Sequence, residues 1–575
     1  MVEEIYDPLD EYMKVFHPRF REVAERTFAA LAEEAQVDVQ ANRSTCTQVY
    51  KLEEQLASVK SRIGCWTVAC VLLWLVAVVG AIYAFGWHKE IESGWLVLLM
   101  LGVLVSLVLL LMRVHPKLKV LKKERQNLSE QLEQQKSLAW NQMAPLNRLY
   151  DWDVLTRMMS ETVPRLEFDP YFTTQRLEDL RRTYGWSDRF NKNRSVIYSH
   201  SGLINGNPFV ICRTRKFEMG SKTYYGSKTI YWTTTERDAD GKMRTVEHSE
   251  TLTAEVTAPY PEYPELTRLI YGNMAAPDLI FYRKKSGLAG NEDSLRYKWN
   301  RRSLRKKSRD LSNMDFAMMT NEEFEVVFNT SNRNDNQQFA LLFTPLAQET
   351  MLRLLRDEQV GYGDDFDFEK NCKINTIIAD HMQDLNLDMN PDQYRNFDFE
   401  KAKEDFYEVN ARYFRAIYFC LAPLLCVPMY QQIRPPHAMY GRKMQRHSAF
   451  WEHEALANFW GQERFMNSSC VTDCILKTEK QDYGDESMLT VYAYGYTSES
   501  RVSYISKLGG DGHWHEVPVY WDEYLPVTGT GNIHMMEDNE APEGAVSQSE
   551  RMKHVHEVLD IGGMNLYRRH IASKV

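Results

Sequence analysis

The sequence predicts a membrane protein in which a two-helix transmembrane hairpin and a helical stalk carry a cytoplasmic α+β region built on antiparallel sheets. Three observations predict it. Two uncharged apolar stretches lie between residues 63 and 112. Their outer flanks are basic. Short β-branched and aromatic runs, separated by turn residues, begin near residue 165. A chain of 575 residues has room for roughly three or four structural units.

The first stretch, Ile63 to Trp87, would span about 37 Å as a helix, more than a hydrocarbon core of about 30 Å, and tilt absorbs the excess. The second, Trp95 to Met112, reaches about 27 Å. Trp66, Trp87 and Trp95 stand near the ends, where indole rings prefer the membrane–water interface. The connection His88 to Gly94 carries Lys89 against Glu90 and Glu92. Lys51, Lys60 and Arg62 precede the first stretch, and Arg113, Lys117, Lys119, Lys122, Lys123 and Arg125 follow the second. Nine cations against one predict a multi-pass protein of the cell (inner) membrane with both termini cytoplasmic. The acidic opening MVEEIYDPLDEY has no apolar run behind it, so no cleavable signal peptide is expected and the first span acts as a signal-anchor. Neither stretch holds Asp, Glu, Lys, Arg or His, which predicts an anchor rather than a transport pathway.

Residues 1–62 read as an N-terminal helical region leading into the stalk, and 113–164 as the returning stalk helix. Val49, Leu52, Leu56, Val59 and Ile63 recur at alternating spacings of three and four. Leu118, Leu121, Leu128 and Leu132 continue that rhythm, with Arg125 at the intervening core position. The seam fits either an antiparallel intrachain stalk or an oligomeric coiled coil. Phe16 to Gln36 predicts a further helix, and Trp140 to Val163 either continues the stalk or bends at Pro145.

Residues 165–360 read as one α+β domain. Val196–Tyr198, Phe209–Thr214, Thr229–Thr235, Thr251–Val256, Leu279–Tyr282, Glu322–Phe328 and Phe339–Phe343 are the expected strands. Asn205–Pro208 and Asp238–Gly241 are the expected turns, and Thr344-Pro345 opens a helix through Arg356. Residues 361–435 form an acidic, mostly helical region. Its apolar run Ala416–Tyr430 is short and carries Pro423 and Pro428, which predicts a buried or interfacial segment rather than a third span. Residues 436–575 form a C-terminal α+β region with strands at Leu489–Tyr496 and Trp514–Trp521 and a final helix over Ser549–Ser573. Phe-Asp-Phe-Glu-Lys occurs at Phe366–Lys370 and again at Phe397–Lys401, with nothing matching around the copies, so no solenoid is implied.

The stretch Glu323-Phe324-Glu325-Val326-Val327-Phe328, then Asp335, then Leu341-Leu342-Phe343-Thr344-Pro345, is similar to the end-of-domain pattern of a bacterial family of two-span membrane proteins described only as a domain of unknown function. The resemblance covers about residues 60–360. It implies a membrane hairpin followed by a mixed α+β cytoplasmic region, and it supplies no catalytic residues. The chain departs from that family in its long N-terminal helix and its extra C-terminal region.

A net charge of -10 argues against wholesale nucleic-acid binding. The nine cysteines form no CxxC pair, so reduced thiols are expected rather than a disulfide framework or a zinc site. Asp384 to Asp392 alternates like a calcium loop but has Met389 and Arg395 where glycine and glutamate are required. His453-Glu454 lacks the second histidine of a zinc-protease helix, and His513 and His515 lack a third ligand. No metal or cofactor is expected. The candidate contact site is a basic run without an acid: Arg296, Lys298, Arg301, Arg302, Arg305, Lys306, Lys307 and Arg309, interleaved with Tyr297 and Trp299. Such a run suits anionic lipid headgroups or RNA phosphates, or is a solvated helix face paired with the acidic stretch Asp364–Glu369. The function expected is a membrane-anchored scaffold or interaction protein, with membrane lipids and a protein partner or second copy as its contacts. The alternative is a membrane-bound enzyme whose catalytic groups are dispersed in sequence.

Overall fold

The computed structural model describes residues 5–86, 93–237, 242–309, 318–435, 447–483, 486–537, 547–559, 564–567 and 571–575. Residues 88–92 of the predicted connection and the predicted turn Asp238–Gly241 lie outside the described residues. The chain divides into two units. One comprises residues 26–150 and 391–409, the other residues 1–25, 151–390 and 410–575.

The first unit is helical. Helix α1 is His17–Glu34 and straddles the division. Helix α2, Val39–Gly86, runs for 48 residues; Asp38 caps it, accepting from the Ala41 N–H at 2.9 Å. Helix α3, Ser93–Leu109, passes through a wide π turn at Leu110–Val114 into α4, His115–Asn147. A second π turn, Tyr12–Phe16, precedes α1. Both π turns end immediately before a His-Pro pair, His17-Pro18 and His115-Pro116. Proline removes one donor from the helix ladder and its ring crowds the carbonyl four residues back, and one wider turn relieves both problems.

Helices α2 and α4 pack antiparallel. Glu53 pairs with Lys136 at 2.6 Å, Gln142 donates to Thr45 at 3.2 Å, and Leu110, Val114 and Leu118 pack with Ile63, Trp66, Cys70 and Leu73. The leucine seam is therefore satisfied within one chain. Val49, Leu56, Val59, Leu118 and Leu121 are buried, Leu128 and Leu132 half-buried, and Arg125 is exposed. Residues 391–409 lie along this pair: Asn42 exchanges hydrogen bonds with the Phe397 carbonyl and the Phe399 N–H, and Tyr50 donates to Asp398 at 2.5 Å. Towards their common end the two helices are long and apolar enough to cross a membrane, and there Val71, Leu75, Leu104 and Leu111 expose 59%, 57%, 63% and 70% of their surface.

The second unit holds the helix α5, Val154–Thr162, and three antiparallel sheets. Strands β1 (Leu166–Phe168), β2 (Arg194–Ile204) and β3 (Asn207–Lys216) follow helix α6 (Thr174–Tyr184) or flank it in sequence. The Asn205-Gly206 turn between β2 and β3 has positive φ at both residues, the geometry a tight hairpin requires. Strands β4 (Glu218–Arg237) and β5 (Met243–Glu262) form a ribbon of their own. Then come β6 (Glu265–Gly272), β7 (Ile280–Arg283), β8 (Thr330–Ser331), β9 (Phe366–Asn371) and β10 (Ile374–Ala379). The large sheet has the order β1-β2-β3-β6-β10-β9-β7-β8. A second sheet, of order β11-β12-β13-β15-β14, uses β11 (Ile475–Tyr483), β12 (Glu486–Leu508), β13 (Trp514–Glu537), β14 (Asn565–Tyr567) and β15 (Ile571–Lys574).

Several expectations are corrected. Glu322–Phe328 and Phe339–Phe343, expected as strands, fall in helices: Glu322–Phe328 and Asn336–Leu342. Asn321 and Asp335 supply the caps, and the spacing of Phe324, Phe328, Phe339 and Phe343 turns all four rings into one aromatic cluster with Phe281. Residues 361–410, expected to be mostly helical, contribute the β9–β10 hairpin to the large sheet. That pairing is why residues 151–390 belong together rather than ending at 360. Of the predicted terminal helix Ser549–Ser573, the described residues form a helix over Gln548–Leu559, and Ile571–Lys574 instead pairs with β13. The run Ala416–Tyr430 spans the end of helix Phe399–Leu425 and enters the short helix Pro428–Gln432, and Ala416, Phe419, Leu421, Leu424, Val427 and Tyr430 are all buried.

The β4–β5 ribbon lies against the β12–β13 hairpin. Ile230, Leu252 and Ala254 meet Val517 and Val519. Gly226 is required here, because a Cβ at that position would stand 2.1 Å from the Pro518 carbonyl oxygen. Gly226→Val should therefore push the two ribbons apart and cost about 1–3 kcal/mol. Chemical denaturation should show this as a lower midpoint; an unchanged midpoint would refute the contact.

Candidate functional site

The predicted basic run forms helix α7, Leu295–Arg309. Ser294 starts it, its hydroxyl accepting from the Tyr297 N–H at 3.1 Å, and buried Tyr297 holds one face inward. The structure splits the eight predicted cations. Arg301 and Arg305 both grip Glu322, the first residue of helix α8 (Glu322–Phe328), at 2.7 and 2.6 Å. Hydrogen bonds from Arg305 and Arg301 pull the Glu322 carboxyl down to about 2. Lys298 stands 3.8 Å from Asp293. These partners replace the acidic stretch Asp364–Glu369 considered above. Arg283 instead ion-pairs with Asp364, and Tyr282 donates to Asp367 at 2.8 Å.

The remainder form a stripe. Leu295, Trp299, Arg302, Lys306 and Arg309 recur at spacings of four and three and so share one face. Leu295 exposes 87% and Trp299 69% of its surface. Arg302, Lys306 and Arg309 have no carboxylate partner among the described residues, and with Arg305 they line a concavity of about 540 Å³. Arg296 and Lys307 are exposed as well. The face is apolar at its start and cationic at its end. That arrangement places a ring and an aliphatic chain beside three phosphate-seeking groups.

No family model, curated protein or solved structure matches this chain.

The other chemical motifs resolve into structural roles. His515 pairs with Asp511 at 2.9 Å, and among the described residues no three His, Cys, Asp or Glu side chains converge to hold a metal. Cys470 and Cys474, four apart, bring their sulfurs to 3.6 Å, a proximity that a search for CxxC spacing misses. Burial pushes the Cys474 thiol up to about 12, which makes it a poor nucleophile. His453 and Glu454 sit on helix Phe450–Trp460, both buried. His453 shares a hydrogen bond with Ser448 at 2.9 Å. Glu454 accepts from Lys477, Asn191 and the Val196 N–H, all within 3.1 Å.

Burial lowers His453 to about 4, although Glu537 pulls the other way. A histidine depressed in the folded state adds stability above its unfolded value near 6.5, and that stability is lost as pH falls through 4. The pH profile of unfolding should show this loss, on the order of 3 kcal/mol. In His453→Gln the same window should flatten; identical profiles would contradict the assignment.

Proposed function

We propose that this chain is a membrane-anchored cytoplasmic interaction protein whose α7 face contacts anionic lipid headgroups. The observation that carries the anchor is the exposure of side chains such as Val71, Leu75, Leu104 and Leu111 along two helices long enough to cross a bilayer. The flanking charges support an inner-membrane hairpin with both termini cytoplasmic, since nine cations border the outer ends and one lies in the connection. The absence of Asp, Glu, Lys, Arg and His inside both stretches supports anchoring over transport. The α7 stripe supports a lipid surface over RNA because its apolar residues, Leu295 and Trp299, share a face with the unpaired cations on a chain of net charge -10. The same face, with the chain held at a membrane, suits a scaffold that recruits a protein partner or a second copy.

Alkaline carbonate should leave the full chain in the membrane pellet, and release of the chain would end the anchor. A cysteine introduced at Glu130 should react with an impermeant maleimide only in broken cells; labelling in intact cells would reverse the orientation.

For α7, proteoliposomes containing brominated anionic lipid should quench the fluorescence difference between the wild-type protein and Trp299→Phe, and brominated zwitterionic lipid should not. Arg302, Lys306 and Arg309 changed together to Gln should abolish the quenching, each cation contributing about 1 kcal/mol. Glu322→Gln should strengthen it by releasing Arg301 and Arg305. Equal quenching in both lipids would dismiss the preference for anionic headgroups, and quenching in neither would dismiss the contact.

A further inference from the structure

Strand β2 begins at Arg194, and β6 carries Arg268 opposite Cys212 of β3. The antiparallel order β2-β3-β6 brings these two arginines to the same aromatic ring: their guanidinium carbons lie 4.6 and 5.2 Å from the centre of Phe190. Beside them opens a cleft of about 780 Å³, walled by Trp186 and Phe190 and by the β9–β10 turn at Cys372-Lys373. That volume is in the range of small-molecule sites.

The charge balance of this cleft is unusual. Arg194 donates one Nη to the Phe190 carbonyl at 2.5 Å, while its Nε is buried without an acceptor. Arg268 donates to the Thr214 hydroxyl at 3.1 Å. Neither arginine has a carboxylate partner among the described residues. The carboxylates lining the cleft, Asp278 and Glu369, are exposed, and neither reaches ion-pair distance of the two guanidiniums. Burial lowers the pKa of both arginines, and the charge of Arg268 lowers Arg194 further.

The end of helix α6 faces the same cleft, and three of its carbonyls are occupied. Those of Leu180 and Arg181 accept from the Trp186 and Gly185 N–H groups, and Thr183 accepts from Lys373 at 3.3 Å. Two half-buried like charges without a counter-ion are costly unless an anion joins them.

We propose that this cleft binds the phosphate group of a small phosphorylated molecule, with Arg268 as a forked donor, Arg194 donating through its remaining Nη and Lys373 at the rim. A tetrahedral dianion accepts from two guanidiniums at once, and its charge near -2 balances them, which a single planar carboxylate does less well. The site is independent of the lipid-facing role of α7 and of the membrane anchor.

The test is calorimetric titration of the full chain in detergent with inorganic phosphate and pyrophosphate, and with citrate as the carboxylate probe, at constant ionic strength. Saturable binding of phosphate or pyrophosphate is expected. Arg268→Lys, which keeps the charge but loses the fork, and Lys373→Ala on the turn should each weaken binding about tenfold. Arg194→Gln should abolish binding and, by removing like-charge repulsion, leave the thermal midpoint of the unliganded protein unchanged or raised. Lys306→Gln on α7 should bind as the wild type does. Titrations without heat, binding unaffected by the cleft substitutions, or binding of citrate alone would each overturn the proposal. A lowered midpoint in unliganded Arg194→Gln would also count against it, since it would show that the arginine serves the fold.

Discussion

The larger unit depends on burying two carboxylates. Helix Phe450–Trp460 is wedged between the eight-stranded and five-stranded sheets, and it carries Glu452 and Glu454 into a space from which water is excluded. Glu452 takes hydrogen bonds from the Phe172 N–H and the Ser199 hydroxyl. Glu454 is shared between β2, through the Val196 N–H, and β11, through Lys477. The interior raises the Glu454 pKa by desolvation, and Lys477 opposes that rise. Such a pair adds little net stability against an apolar substitute, but losing one member strands the other, which costs about 3–5 kcal/mol. The two sheets are thus held in one register by groups that tolerate no slippage. Asn458 and Trp460 on the same helix extend the tie to Ser195 of β2 and Ser573 of β15.

The arginine cleft of this unit is built against that wedge. The large sheet supplies the strands on which Arg194 and Arg268 meet, and its strand β7, next to the edge strand β8, precedes α7 in the chain. Trp186 and Phe190, which line the arginine cleft, pack directly on Trp451 of the wedge helix. A firmly supported aromatic wall allows two cations to be held close together without collapse of the space between them.

Much of this was legible in the sequence where the signal is local. The two apolar helices declare themselves through the absence of charge over long stretches, and the seam from Val49 to Ile63 through its spacing. The hairpin at Asn205-Gly206 was readable from its turn residues. Glu322–Phe328 was not, because seven residues give barely two helical turns and Phe-Glu-Val-Val-Phe also fits an alternating pattern; the cap at Asn321 was the overlooked signal. The β9–β10 hairpin hid in an acidic segment whose partner strand lies a hundred residues upstream. The C-terminal strands were masked by an amphipathic pattern, and their pairing with β13 is what decides their form. Of the basic run, composition showed the cations but not which would be claimed by Glu322. The Arg194–Arg268 pairing follows from strand order, which no spacing rule reveals.

The pentapeptide Phe-Asp-Phe-Glu-Lys takes two forms in one chain. At Phe366–Lys370 it is strand β9, with Asp367 accepting from Tyr282 and the Lys285 N–H and Lys370 buried against the Ala275 and Cys372 carbonyls. At Phe397–Lys401 its aspartate caps a helix, accepting from the Glu400 N–H at 2.9 Å. Five identical letters acquire opposite shapes from neighbours that arrive from elsewhere in the chain. Cut out as a synthetic peptide, neither copy has the means to hold its native geometry. During biosynthesis the elements that each copy packs on, β7 for the first and α2 for the second, have already emerged, so each copy takes its form by docking on older parts of the chain.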